Sequence, residues 1–211
     1  MAASTRKIIL FWFLAITACL MDQASKEWIF AQLPGPMKPA PGQYLGAHRT
    51  LWQASDQVDA EGGQSVPPGF HLHIAYTLDE QGRQIPHVNQ GALFGMGGAA
   101  WRGVANGLFA VVSLLVAVAL GVFVSVWPQK PNWVLVTALG MVAGGAVGNL
   151  IDRVRFSGVR DFLHWNYLFD WPVFNVADVF LVVGAGLILV VGMGSSDRER
   201  GMVSPDSQSS Q

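Results

Sequence analysis

The sequence predicts an all-α membrane protein, four transmembrane helices with a small extracytoplasmic β element. Three observations carry that prediction. Hydrophobic residues make up 51% of the 211 and charged residues only 13%, with a mean hydropathy of +0.36. Soluble domains carry about twice that share of charge. The apolar residues gather into long runs, and a run of about 20 suffices to cross the hydrocarbon of a bilayer. Between the first two runs one short segment alternates apolar and polar residues, which is the period of a strand. A net charge of −1 gives no electrostatic case for nucleic acid as a partner, and the single cysteine, Cys19, excludes an internal disulfide framework or a multi-cysteine metal site.

Taken in order, residues 1–7 carry Arg6 and Lys7 and no acidic residue, so they read as a cytoplasmic N-terminus. The first helix covers residues 8–33. Its uninterrupted apolar run ends at Met21, but Ala24, Trp28, Ile29, Phe30 and Leu33 extend it, and neither Pro nor Gly intervenes before Pro34. Asp22 and Lys26 stand four apart on one helical face, where they can pair. Ile16-Thr17-Ala18-Cys19 has the look of a lipobox, yet the helix runs on and three more spans follow. Cys19 is therefore read as a packing residue.

Residues 34–103 form a long extracytoplasmic loop with a β hairpin. Pro34, Pro36, Pro39, Pro41, Pro67 and Pro68, with many Gly, Gln and Ser, mark its first part, to Gly69, as loop that contributes little to the core. Phe70–Leu78 then alternates: Phe70, Leu72, Ile74, Tyr76 and Leu78 on one face, His71, His73, Ala75 and Thr77 on the other. This is a half-buried strand. Asp79-Glu80-Gln81-Gly82 supplies a turn, and residues 85–89 return as a hairpin partner. His71 and His73 without a third ligand read as surface residues, not a metal site.

Residues 104–127, 133–151 and 174–194 are the remaining spans, residues 152–173 the extracytoplasmic loop between the last two, and 195–211 a polar, disordered cytoplasmic tail. Four spans put both termini on one side, and Lys130, Arg198 and Arg200 agree with a cytoplasmic one. Arg153, Arg155 and Arg160 oppose the charge rule from the other side, which suggests that they have work there.

Ionisable residues are costly in a bilayer and mark function. Here they cluster at one end of the first, third and fourth helices. Asn149, Asp152 and Arg153 close the third, Asp161 lies in the following loop, and Asn175 and Asp178 open the fourth. With Asn175 as N-cap, Asp178 falls at N3, where free amides and the helix dipole favour a carboxylate. Capping and surface pairing explain any one of these residues, but less well a group of five or six at one depth. Two carboxylates in a low-dielectric site can share a proton, one activating water while the other polarises a carbonyl. Asp161 and Asp178 suit that pair, and Asp152 is a rival that spacing does not eliminate. On the third helix Gly140, Gly144 and Gly148 form a small-residue stripe that packs a neighbour closely and so sets Asn149 and Arg153.

Four sets of residues resemble motifs of the bacterial lipoprotein signal peptidases, the signal peptidase II family. Asp22-Gln23-Ala24-Ser25-Lys26 is similar to its D-x-x-[ST]-K, and residues 89–95, Asn-Gln-Gly-Ala-Leu-Phe-Gly, to its N-x-G-[AG]-[AS]-F. Residues 144–153, Gly-Gly-Ala-Val-Gly-Asn-Leu-Ile-Asp-Arg, match G-G-A-x-G-N-x-x-D-R, with Val159-Arg160-Asp161-Phe162 after them. Phe174-Asn175-Val176-Ala177-Asp178 matches F-N-x-A-D. The resemblance covers most of residues 8–194.

It implies an aspartyl endopeptidase whose dyad is Asp161 and Asp178. Asn89, Gly91, Asn149, Asp152, Arg153 and Asn175 are then substrate-binding or supporting residues, and Asp22 and Lys26, in the same set, steady the fold beside them. It also implies cleavage of diacylglyceryl-modified prolipoproteins before the lipidated cysteine, without metal or cofactor, and inhibition by globomycin. The expected setting is the inner membrane, with membrane lipids as partners, the site near the outer leaflet and the protein a monomer. The family's outer β-cradle fits Phe70–Leu78, and its periplasmic helix fits residues 97–103. Departures lie outside the helices: a long segment 34–69, an apparent insertion at 81–87, and Leu93 where a small residue is usual. The intramembrane aspartyl proteases of presenilin or prepilin-peptidase type carry G-x-G-D, which is absent here. A small four-helix transport or assembly subunit without catalysis is the alternative, and it would tolerate Asp161→Asn.

Overall fold

The computed structural model describes residues 2–31, 46–52, 69–78, 84–91, 99–126 and 132–202. Its four long helices are α1 (Ala2–Phe30), α2 (Ala99–Val126), α3 (Trp133–Phe156) and α4 (Val176–Met202). Each contains a stretch long and apolar enough to cross a membrane: Ser4–Phe30, Gly103–Val126, Trp133–Phe156 and Val176–Met193. A helix is what such sequences must form in hydrocarbon, because it satisfies every backbone N–H and C=O internally. The chain is a multi-pass membrane protein.

α3 is the central helix, and the other three pack around it. Its end conditions are local: the Asn132 side chain accepts from Leu135 N at 2.7 Å, and Ser157 closes the helix in the left-handed region at φ 57°. Phe11 and Ala15 of α1, Val124 of α2 and Val136, Leu139 and Ala143 of α3 make one apolar core. Close approach rests on the glycine stripe. A Cβ at Gly140 would stand 2.9 Å from the Phe11 carbonyl oxygen, one at Gly144 would collide with the Ala15 carbonyl, and one at Gly148 would lie 2.6 Å from Asp22 Oδ2. Gly145 turns the other way, with Ala177 O at 2.6 Å from such an atom. The stripe thus seats α1 on one side of α3 and α4 on the other, where dispersion supplies the attraction that lipid does not.

Among the described residues, five short strands form one antiparallel sheet. These are β1 (Gly46–Trp52), β2 (Phe70–Leu78), β3 (Gln84–Pro86), β4 (Leu163–Trp165) and β5 (Trp171–Phe174), ordered β1-β2-β4-β5 with β3 also on β2. β2 covers the predicted residues. Leu72 faces Trp52 on one edge and Leu163 on the other, so β1 takes one edge of β2 and β4 the opposite one. Ile74, fully buried, packs with Ile29 of α1 and with Phe162 and Leu163, which anchors the sheet on the helix ends. β4 and β5 come from the segment between α3 and α4. The sheet therefore ties the residues around Asp161 to β2.

Several expectations are corrected. Part of the proline-rich segment 34–69 is the edge strand β1, whose backbone bonds to β2 need no apolar alternation of its own. Residues 163–165 and 171–173, read as loop, are strands, and so is Phe174, read as the start of the last span. Within the apparent insertion 81–87, residues 84–86 are β3; the predicted turn at 79–82 lies outside the described residues, as does Leu93. Residues 99–103 are continuous with α2 and not a separate helix. α1 begins at Ala2, since Ala, Arg and Lys are good helix formers. α4 runs on to Met202 through Arg198, Glu199 and Arg200, where a disordered tail was expected; residues 203–211 lie outside the described residues. His71 is fully buried, not on the surface, because β4 pairs beside it and Asn166 Oδ1 sits 3.0 Å from its Nε2.

Candidate active site

The site forms where the C-terminal ends of α1 and α3 meet the N-terminal end of α4. The capping geometry at α4 is local and follows from sequence. The Asn175 backbone N–H donates to Asp178 Oδ2 at 3.2 Å, and Asp178 N donates to Asn175 Oδ1 at 3.1 Å. This reciprocal pair is a capping box with a carboxylate at N3. It fixes the Asp178 side chain against the first turn.

Asp161 is brought to the same place by the loop after α3. Asn175 Nδ2 donates to Asp161 Oδ1 at 2.7 Å, and Asn89 Nδ2 donates to Asp161 Oδ2 at 3.0 Å. Asn89 arrives through a two-way backbone bridge, its N to Val159 O at 2.7 Å and Val159 N to its O at 2.8 Å. Its side-chain oxygen accepts from Gly91 N at 2.8 Å. Gly91 adopts φ +80°, and a Cβ there would meet the Phe109 ring at 2.5 Å, so only glycine fits both demands. Burial pushes the Asp161 carboxyl up to about 6; the Asn89 amide pulls it down, and the nearby Asp178 charge pushes it further up.

The two carboxylates are joined by asparagines. Asn149 Nδ2 donates to Asp178 Oδ1 at 2.8 Å, while its oxygen accepts from Asn175 Nδ2 at 3.1 Å and from Lys26 Nζ at 3.3 Å. Asn175 is fully buried; Asp161 and Asp178 are partly accessible. Of the asparagines that hold the pair, Asn149 and Asn175 are buried, while Asn89 is exposed.

Behind them lies a buried charge cluster. Lys26 Nζ is 2.7 Å from Asp22 Oδ2 and 3.3 Å from Asp152 Oδ2, with all three side chains fully buried. Asp22 Oδ1 accepts from the Ala177 backbone N at 2.9 Å, which ties α1 to the first turn of α4. Asp152 takes Arg160 Nε at 3.2 Å, Nη2 at 3.0 Å and backbone N at 2.9 Å. Both its oxygens are occupied by cations and amides, which separates it from the Asp161–Asp178 pair.

Arg153 makes no hydrogen bond to either carboxylate among the described residues. Its guanidinium lies 5.0 Å above the Phe109 ring, Nη1 is 3.4 Å from Asn106 Oδ1, and its buried Nε has no partner. Sequence reasoning missed three participants, and it gave Arg160 work on this side without naming its partner. Gln23, inside the first motif, donates to Gly148 O at 3.0 Å and Asp152 Oδ1 at 3.2 Å. Arg160 stands inside the motif around Asp161. Asn106 and Phe109 on α2 lie in no motif, and nothing short of the packing of α2 on α3 would have found them.

Beside Asp178 opens a groove of about 500 Å³ walled by Phe70, Trp165, Trp171, Phe174, Val179 and Val182. That is the size of a small-molecule pocket, here almost wholly apolar, with one carboxylate at its edge. Two carboxyls held by one asparagine network, set against an apolar groove, have the groups that general acid–base hydrolysis of a bond in an apolar substrate requires.

A family model described as signal peptidase (SPase) II matches residues 70–193. A lipoprotein signal peptidase of Gloeobacter violaceus is 32% identical over 200 residues, 94% of this chain and 90% of that one. One of Anoxybacillus flavithermus is 34% identical over 200 residues, 93% of each chain. A solved bacterial membrane enzyme shares the fold at a TM-score of 0.59 and 21% identity, over 88% of both chains.

Proposed function

The chain belongs to the signal peptidase II family and is a peptidase, and from that premise we propose that it is an intramembrane aspartyl endopeptidase. Its substrates are diacylglyceryl-modified prolipoproteins, and it cuts the signal peptide off before the lipidated cysteine. The observation that carries this reading is the Asp161–Asn175–Asp178 arrangement beside an apolar groove. Asp161 holds the shared proton and donates it to the scissile carbonyl oxygen, while Asp178 takes a proton from the attacking water. Water attacks directly, so no covalent enzyme intermediate forms. Asn89, Asn149 and Asn175 hold the carboxylates in register, and the unbonded Nε of Arg153 supports a donor role toward substrate. The substrate's apolar portion lies in the groove of Phe70, Trp165, Trp171 and Phe174. The purified protein is expected to cleave a lipidated precursor, with globomycin blocking cleavage and the unlipidated precursor left intact. Equal cleavage of both precursors would count against the substrate assignment.

The proton assignment has a pH signature. Asp161 is protonated below about 6, so the acid form is present on the acidic side and is lost as pH rises through that value. kcat/KM is therefore expected to fall with rising pH near 6, the apparent value belonging to the coupled pair. A profile that instead rises through 6 would make Asp161 the base.

We also propose that both termini are cytoplasmic, that the host membrane is the bacterial inner membrane, and that the site sits near its outer leaflet. Reporters fused after Lys130 and at Gln211 should read cytoplasm, and one placed within residues 53–63 should read the outside. A cytoplasmic signal from the 53–63 fusion would invert this orientation.

A further inference from the structure

Of the three arginines that oppose the charge rule, Arg153 lies beside the candidate site and Arg160 is bonded to Asp152. Arg155 has no part in either. It lines a second cavity, of about 480 Å³, between the ends of α1 and α3, together with Glu27, Phe30, Val88, Phe156 and Arg160. Such a volume is within the roughly 300–1,000 Å³ of ligand sites. The Arg155 guanidinium rests 4.9 Å from the Phe156 ring centre and gives Nη1 to Glu27 Oε1 at 3.1 Å. Arg160 Nη1 and Nη2 reach the same oxygen at 3.3 Å.

Bonding capacity is left over on both partners at the mouth. A guanidinium carries five N–H donors, and only one of Arg155's is used among the described residues. The bonds to Glu27 all fall on Oε1, leaving Oε2 as an acceptor. The Arg155 and Glu27 side chains are 52% and 56% exposed. Around them Lys26, Arg155 and Arg160 balance Asp22, Glu27 and Asp152. An anion would meet Glu27 and a cation Arg155; a zwitterion answers both.

The position says which zwitterion. Phe30 and Phe156 are the last residues of two membrane spans, so the cavity lies at the boundary of hydrocarbon and headgroups. Below it, α1 exposes Ile9, Phe13, Ile16 and Leu20, which at this spacing form one helical stripe that continues to Glu27. A molecule with its head in the cavity has an apolar track for its chains.

We infer that this cavity binds the headgroup of an ethanolamine phospholipid. The phosphodiester takes the free donors of Arg155, the primary ammonium donates to Glu27 Oε2, and the acyl chains follow the α1 stripe. A choline headgroup offers no N–H to the carboxylate, and a glycerol headgroup offers no cation. This site is separate from the peptidase site and does not rest on its mechanism.

The test uses the delipidated full-length protein and native mass spectrometry. Phosphatidylethanolamine, its N-monomethyl and N-dimethyl forms, phosphatidylcholine and phosphatidylglycerol are offered with identical chains, and soluble phosphoethanolamine is offered alone. Retention should fall stepwise with methylation, about tenfold from ethanolamine to choline, the scale of one charge-assisted hydrogen bond. Glu27→Gln should flatten the series, and Arg155→Gln should lower every member alike, with thermal unfolding confirming the folded state of each variant. Equal retention across the methylation series on the unmodified protein would overturn the proposal, whatever the variants do. So would stronger retention of phosphatidylglycerol. Soluble phosphoethanolamine binding as tightly as the lipid would replace the membrane by a free headgroup compound and overturn the lipid assignment.

Discussion

Asp161→Asn and Asp178→Asn are each expected to lower cleavage of a lipidated precursor by about a thousandfold or more, the upper range of a general acid–base contribution. An amide is close to a carboxyl in size, and its oxygen still accepts one of the two bonds the carboxylate held. It can neither give up a proton to a carbonyl nor take one from water. The double variant should be no slower than the slower single one, because a pair that works as a unit is lost once. Neither substitution should unfold the protein. Asp161 is partly accessible, and burial already disfavours its charged form, so removing that charge relieves a cost. The measurement is single-turnover cleavage beside thermal unfolding in the same detergent. More than a few per cent of wild-type rate in either single variant would end the assignment of the dyad to Asp161 and Asp178.

What was legible in the sequence was what is local. The Asn175–Asp178 capping box spans one helical turn, so spacing alone predicts it, and the structure has both of its hydrogen bonds. Asp22 and Lys26 are four apart on one helix and meet at 2.7 Å. The Phe70–Leu78 strand is likewise written in its own alternation. What was not legible depends on distant partners. β1 shows no apolar period because an edge strand is held by the backbone groups of β2. His71 reads as a surface residue until Asn166, 95 positions away, is brought against it. Asp152 stayed a rival to Asp161 on spacing. Only the fold shows its oxygens filled by Arg160 and Lys26.

The same cluster gives the largest expected loss of stability. Lys26 is fully buried with Asp22 and Asp152 at 2.7 and 3.3 Å, and Lys26→Met leaves Asp22 with no cation in direct contact and Asp152 with Arg160 alone. Removing one partner of a buried ionic group costs about 3–5 kcal/mol, because the charge that remains is unpaired away from water. Replacing both partners is often near neutral, so Lys26→Met with Asp22→Asn should recover part of that loss. Recovery should be incomplete, because Asp22 Oδ1 also accepts from Ala177 N, and an amide in its place accepts that bond less strongly. The effect on catalysis is separate. Lys26 donates to Asn149 Oδ1, and Asn149 gives its amide to Asp178, so losing the lysine leaves that oxygen held by Asn175 alone and loosens the asparagine. The stabilised double variant is therefore expected to fold and still cleave slowly, with kcat reduced more than KM. Unfolding midpoints in one detergent, with kcat and KM measured on the double variant, separate the two effects. A Lys26→Met single variant with wild-type stability and rate would show that the cluster neither holds the helices together nor sets the position of Asp178.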